Sequence, residues 1–199
     1  MSLVIVGAGP NLGAAVARRF GREGMPVGLI ARDRTRLDAL AAELAATGIT
    51  ADVATADIRD PAALSAAIGA LAERLGPVEV LEYSPLPARE FMKPLLETTA
   101  EDVRGPLEFS VLGAVAAATA VLGPMLDAGS GTILFTTGGA AVNPNPLRAG
   151  VGISFSRSDS ASTCPDRDRR GPGALGRQVG ITRKGAGARD ARPPCHREL

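Results

Sequence analysis

The chain has 199 residues, enough for one domain with a sizeable core. Its 22 basic and 21 acidic groups leave a net charge of +1, so no global field argues for nucleic acid or a membrane surface. Hydrophobic residues make up 45% and charged residues 22%, the balance of a globular protein, and only two cysteines occur, which suits a cytoplasmic setting. The Ala-rich apolar run around Leu112 to Leu122 is too short to span a bilayer, and "LVIVGAG" is too short for a signal peptide.

"SLVIV" opens the chain as a continuous apolar run, the mark of a strand buried on both faces. It leads through "GAGPNLG" into a helix on which Leu12, Val16 and Phe20 recur along one face. "MPVGLIA" reads as a second strand. The helix that follows has Thr35 and Asp38 at capping-box spacing, an apolar face of Leu37, Leu40, Ala41 and Leu44, and Gly48 to end it. "ADVATA" is a third strand, and Asp60-Pro61 places an N-cap before a proline at the first helical position. Leu64, Ile68, Leu71 and Leu75 make that helix amphipathic. "VEVLE", a long helix from about Thr99 through "VLGAVAAATAVLGPML", and "GTILFTT" complete the series. Strands alternating with helices predict a Rossmann-type α/β fold: a doubly wound parallel sheet in three α/β/α layers, incomplete at its C-terminal end.

Ligands of such sheets bind at the carboxyl ends of the strands. Gly7, Gly9 and Gly13 stand there after the first strand, where glycine permits a tight turn and close approach of backbone N–H groups to a pyrophosphate. At the end of the second strand an NAD site keeps an acidic residue. Here "LIARDRTR" puts Arg32 first past the apolar run, and a guanidinium suits a ribose 2′-phosphate, so NADP is favoured over NAD. Asp33 leaves NAD open, as does a reading of this stretch as a solvated helix start.

With these motifs placed, residues 1–153 resemble the short-chain dehydrogenase/reductase family, on "VGAGPNLG", "ARD", "ADIRD" and "GTILFTTGGAA". The resemblance implies a cofactor turn of Gly7, Gly9, Asn11, Leu12 and Gly13, with Asn11 where the family has a middle glycine. Asn tolerates left-handed backbone angles better than most residues. It also implies that Asp57 binds the adenine amine and Ile58 covers the ring. The partner would be a small carbonyl or alcohol substrate, and the family pattern allows a homo-oligomer. The catalytic positions depart from the pattern. The Asn-Asn-Ala-Gly after strand four falls on Tyr83-Ser84-Pro85-Leu86, the helical Asn on Ser110, and the catalytic Ser on Gly138, next to Thr137. The Tyr-x-x-x-Lys pair falls at about Val151 and Phe155, where neither residue is present. Tyr83, assisted by Ser110 or Thr137, is the substitute donor that the sequence offers. No metal is expected, because Cys164, Cys195 and His196 lack ligand spacing.

From 154 to 199 the character changes. That segment carries a charge of +5 against −4 for residues 1–153, and few large apolar groups. It reads as an irregular basic tail with no helical or strand period, and its Arg, Gly, Pro, Ser and Cys are what a GC-rich coding region gives when read out of frame. A frameshifted or truncated remnant is the expectation. A nucleic-acid-binding tail is the weaker one, because its basic groups are interleaved with Asp and with no aromatics. Three functions compete: an NADP(H)-binding oxidoreductase acting on carbonyls or alcohols, a catalytically inactive dinucleotide-binding module or sensor, and a nonfunctional fragment.

Overall fold

The computed structural model describes residues 1–141, 143, 145–159 and 175–182. Strands β1 (Ser2–Val6), β2 (Val27–Ala31), β3 (Ala51–Thr55), β4 (Val78–Tyr83) and β5 (Ser130–Thr137) alternate with helices α1 (Leu12–Gly21), α2 (Arg34–Ala45), α3 (Pro61–Leu75), α4 (Ala100–Leu107) and α5 (Gly113–Ala128). Helix α6 (Ala149–Asp159) and strand β6 (Leu175–Thr182) follow. The sheet order is β3-β2-β1-β4-β5-β6, parallel throughout except for β6.

The continuous apolar run of β1 is explained by its place at the centre of the sheet. Leu3 and Ile5 join Leu29, Leu37 and Leu44 under α1 and α2, while Val4 and Val6 join Leu64, Ile68 and Leu71 on the opposite face. Each face buries its own cluster, which is the three-layer arrangement the sequence predicts.

Several local expectations are corrected. Leu12 does not face the core but is 41% exposed, and α1 turns Gly13, Ala14 and Ala17 inward instead. A Cβ on Gly13 would lie 3.0 Å from the Ala8 Cα, so the helix sits too close to the turn for larger side chains. Helix α2 is capped by Asp33, which accepts from the Arg36 amide, rather than by Thr35. The expected capping box appears instead at α4, between Thr99 and Asp102.

The apolar run expected to be too short for a membrane belongs to a longer helical stretch. Ala100–Ala128 is 29 residues and contains an 18-residue window of mean hydropathy 1.9, long and apolar enough by those measures to cross one. Ala114, Ala117, Val121 and Met125 of this stretch are buried in the core cluster, as in the interior helix of a sheet protein.

Described elements continue past Ser154, where the sequence loses its period. Helix α6 continues to Asp159, and residues 175–182 pair antiparallel with β5 from Thr137↔Leu175 to Ser130↔Thr182. Such an edge strand is held by ladder hydrogen bonds, which need little apolar side-chain area. The rest of the expected tail, with Cys164, Cys195 and His196, lies outside the described residues.

Asp60 shows how directly one residue fixes an element here. Its carboxylate accepts from the amides of Ala62 and Ala63, with Pro61 pre-set for the first turn of α3. Asp60→Ala should lower stability by about 1 kcal/mol in urea denaturation monitored by circular dichroism, with an unchanged m-value.

Candidate cofactor site and the pocket beside it

The turn after β1 is built on Gly7, which adopts φ +90. A side chain there would be strained, and a Cβ would also meet the Pro85 Cα at 2.4 Å. The left-handed conformation expected of Asn11 falls on Gly7 instead: Asn11 has φ −94 and makes no side-chain cap. The amides of Gly7 and Ala8 both donate to Ile30 O, at 2.9 and 3.0 Å, and lock the turn onto β2. The amides of Asn11, Leu12 and Gly13 at the start of α1 find no acceptor among the described residues. A helix start with unsatisfied N–H groups and a positive dipole end favours a phosphate.

This turn borders a cavity of about 620 Å³ over the carboxyl ends of β1, β2 and β3. Of the residues that the sequence assigns to the cofactor, Gly7, Gly9, Arg32, Asp57 and Ile58 line it, whereas Asn11, Leu12 and Gly13 do not. Gly13 acts through packing, by letting α1 approach Ala8. The far wall comes from Pro85, Leu86, Phe91 and Phe109.

Charge in the cavity is unevenly committed. Arg34 pairs with Asp38 and Arg36 with Asp33, while Arg32 makes no ion pair among the described residues. Asp57 accepts from the Arg59 guanidinium at 3.1 Å and from its amide at 3.0 Å. The Arg59 contact, helped by the more distant Arg32, holds the Asp57 carboxyl below the usual carboxylate range despite partial desolvation. Arg59 was not singled out in the sequence, although its place two residues after Asp57 in "ADIRD" makes such a contact accessible to any long side chain.

Beyond Pro85 and Phe109 lies a second, small pocket that brings the three expected catalytic residues together. Tyr83, Ser110 and Thr137 line it with Phe135 and Thr136, around a space of about 20 Å³. The Tyr83 hydroxyl is buried and donates to Phe109 O at 2.5 Å. Burial pushes its pKa upward.

The origin of that bond is traceable. Pro106 interrupts α4, and residues Glu108–Leu112 widen into a π-turn in which the Gly113 amide donates to Glu108 O. Phe109 O is thereby released from its usual helical donor, and the Tyr83 hydroxyl takes that place. Gly113 makes the approach feasible, because a Cβ there would lie 2.4 Å from the Tyr83 hydroxyl.

Ser110 Oγ donates to Ser154 Oγ at 3.2 Å, and Ser154 Oγ to Val151 O at 3.1 Å. Ser154 therefore occupies the space beside the helical Ser, and Val151 is buried at the expected Tyr position. The side chain of Phe155 lies outside the described residues.

One buried ionisable group escaped the sequence reading. Glu82 in β4 is 3% exposed, and its Oε1 accepts from Thr136 Oγ1 at 2.7 Å. The signal was a carboxylate at an inward position of "VEVLEY", which pairs in register with Leu134 and reaches Thr136 two residues further along the neighbouring strand. Burial raises its pKa, partly offset by the Thr136 and Ser84 hydroxyls.

With strand order, glycine turn and cavity in place, comparison with known proteins is decisive: residues 2–150 match the short chain dehydrogenase family. The chain belongs to that family. A putative ketoacyl reductase of Streptomyces coelicolor is 38% identical over 78 residues, 39% of this chain and 30% of that protein. Among solved structures, a variant of actinorhodin polyketide ketoreductase with NADPH superposes at TM-score 0.73 and 28% identity, covering 80% of this chain and 62% of the other. NAD+-bound xylitol dehydrogenase matches at TM-score 0.74 and 24% identity, over 80% and 61%, which shows the shared fold. The chain thus spans less than two thirds of these relatives' length.

Glu82 gives the region a pH signature. A carboxyl with a raised folded-state pKa binds protons more tightly in the folded chain than in the unfolded one. Its contribution is fully present below the ordinary value of 4.5 and is lost as pH rises through the raised one. Glu82→Gln keeps an acceptor for Thr136 and removes the buried charge. The variant should therefore be more stable than the parent at pH 7, with the difference vanishing near pH 4. Thermal melts across that range check it.

Proposed function

We propose that this chain binds NADP(H) as a reductase-type member of its family, with the cofactor held by the glycine turn and by Arg32. The observation that carries the reading is Arg32 itself, a guanidinium lining the cavity with no ion pair among the described residues, beside arginines that are already paired. A ribose 2′-phosphate would supply its partner in a charge-assisted contact. The site fits a dinucleotide on two further counts: the cradle a Cβ on Gly7 would fill, and the unclaimed amides at the start of α1. Asp57 and Ile58 are assigned to the adenine end. The NADPH-bound ketoreductase supports this choice, and the NAD+-bound xylitol dehydrogenase keeps NAD as the alternative. A cytoplasmic location, a small carbonyl or alcohol substrate and a homo-oligomer belong to the same proposal.

A bound reduced nicotinamide supplies hydride. The chain must supply a proton to the carbonyl oxygen and donors that polarise it. Ser110 and Thr137 are assigned to polarisation, and Tyr83 to proton donation. Tyr83 can donate only by leaving Phe109 O, and its raised pKa makes proton release unfavourable. Val151 and Gly138 offer no hydroxyl at the positions where the family pattern has Tyr and Ser. These observations favour a second reading, a dinucleotide-binding module with little turnover. Positioned proton transfer contributes about 10²–10⁴-fold, so its loss alone slows reduction by about that factor, and the missing polarising hydroxyl at Gly138 slows it further.

Two measurements test the proposal. Arg32→Ala should weaken NADPH about tenfold or more and leave NADH nearly unchanged, by calorimetry; an equal loss for both would remove Arg32 from the 2′-phosphate. NADPH oxidation over a broad carbonyl panel should stay near background, and Tyr83→Phe should abolish whatever remains. Robust turnover surviving that change would point to an acid not among the residues assigned above.

A further inference from the structure

We propose that occupancy of the larger cavity is coupled to the Tyr83 hydroxyl through Phe109. A bound dinucleotide holds the phenol on Phe109 O, and the held phenol in turn tightens the dinucleotide. The inference rests on the NADP(H) reading above and names a regulation of that same site.

The two pockets meet in one residue. Phe109 lines both the larger cavity and the small pocket. Its ring packs edge-on against that of Phe91, another cavity residue, with centroids 5.9 Å apart. Phe91 lies against α4 in turn, where a Cβ on Gly105 would come within 2.8 Å of its ring. The carbonyl of Phe109 accepts from the Tyr83 hydroxyl. Tyr83 lines only the small pocket, so any effect it has on a ligand in the cavity passes through a neighbour, and Phe109 is the one it bonds. A second contact runs the same way. Gly113 closes the π-turn and packs on Ile58 of the cavity lining, where a Gly113 Cβ would lie 2.8 Å from Ile58 O.

The turn has two discrete arrangements. In the observed one the Gly113 amide donates to Glu108 O and leaves Phe109 O to Tyr83. In the α-helical one that amide donates to Phe109 O, four residues earlier, and displaces the phenol. Pro106 donates no amide, so the ladder is already interrupted on the side toward which the widened turn would move. An amide and a phenol thus compete for one carbonyl. A ligand in the cavity biases that competition, because it packs against Phe109 where the π-turn places it, and a shift of the turn would withdraw that wall. Linkage makes the effect reciprocal. A bound dinucleotide would then keep the one tyrosine of the chain away from a substrate, which favours binding over turnover.

The test follows the hydroxyl and the affinity together. Tyrosine labelled with carbon-13 at Cζ gives a single resonance in this chain, and its deuterium isotope shift in mixed water reports hydroxyl exchange. Saturating NADPH should slow that exchange in the parent chain and leave it unchanged in Phe109→Leu. Tyr83→Phe should weaken NADPH by about two- to tenfold in calorimetry. In the Phe109→Leu background it should have no further effect. An unchanged Kd for Tyr83→Phe, the same loss in both backgrounds, or exchange indifferent to NADPH would overturn the coupling and leave the NADP(H) reading intact. If NADPH does not bind, that reading falls and the ligand-free comparison decides the coupling alone. Phe109→Leu, which removes the ring contact with Phe91, should then speed the hydroxyl exchange, and equal rates would overturn the inference.

Discussion

At the carboxyl edge of the sheet, β1 and β4 run side by side and then part, and Gly7 and Pro85 meet backbone against backbone where they do so. Gly7 can be there only because it has no side chain and tolerates φ +90. Pro85 can be there because it follows directly from β4, whose register pairs Val6 with Tyr83. This contact fixes the height of the glycine turn above the sheet. It also makes Pro85 a shared wall of the two pockets, so the shape of the larger cavity and the closure of its neighbour have one cause.

Two polar side chains of β4 beneath that contact find partners, while the buried Ser84 hydroxyl beside them has none among the described residues. Tyr83 points to the α3 and α5 side and spends its hydroxyl on a carbonyl released by the π-turn. Glu82, its neighbour in β4, points to the other face and is held by Thr136. Adjacent residues of one strand thus place a phenol and a carboxyl on opposite sides of the sheet, each with a partner from a different element. Neither carries a nearby compensating charge, which is why burial dominates both pKa shifts.

Much of the fold was legible because period and punctuation coincide. The unbroken "SLVIV" required burial on both faces, and Asp60-Pro61 could hardly be anything but a helix start. The cavity residues Gly7, Arg32 and Asp57 were legible for a similar reason: each stands at the end of a strand, and strand ends are where such sheets bind. What escaped depends on contacts between distant segments. Leu12 fits the helical period but loses the inward position to Gly13 and Ala14, because the approach of α1 to Ala8 is set by the turn. The bond from Tyr83 to Phe109 joins residues 26 apart and needs a π-turn that no spacing rule announces. Strand β6 escaped because an edge strand draws on backbone ladders rather than on an apolar pattern.

The π-turn at Glu108–Leu112 carries a bookkeeping of its own. An α-helix advances by about 100° per residue, and a single π-turn accommodates one residue more than the α-helical count without ending the helix. Removing one residue from this turn would leave the backbone ladder continuous on both sides. It would also rotate all of α4 by about a quarter turn relative to α5, carrying Pro106 and the capped end at Thr99 to a different side of the bundle. Phe109 O would return to a helical donor, and the Tyr83 hydroxyl would be left buried without a partner. The helix therefore tolerates length changes here in its own hydrogen bonds, and the sheet beneath it is what forbids them.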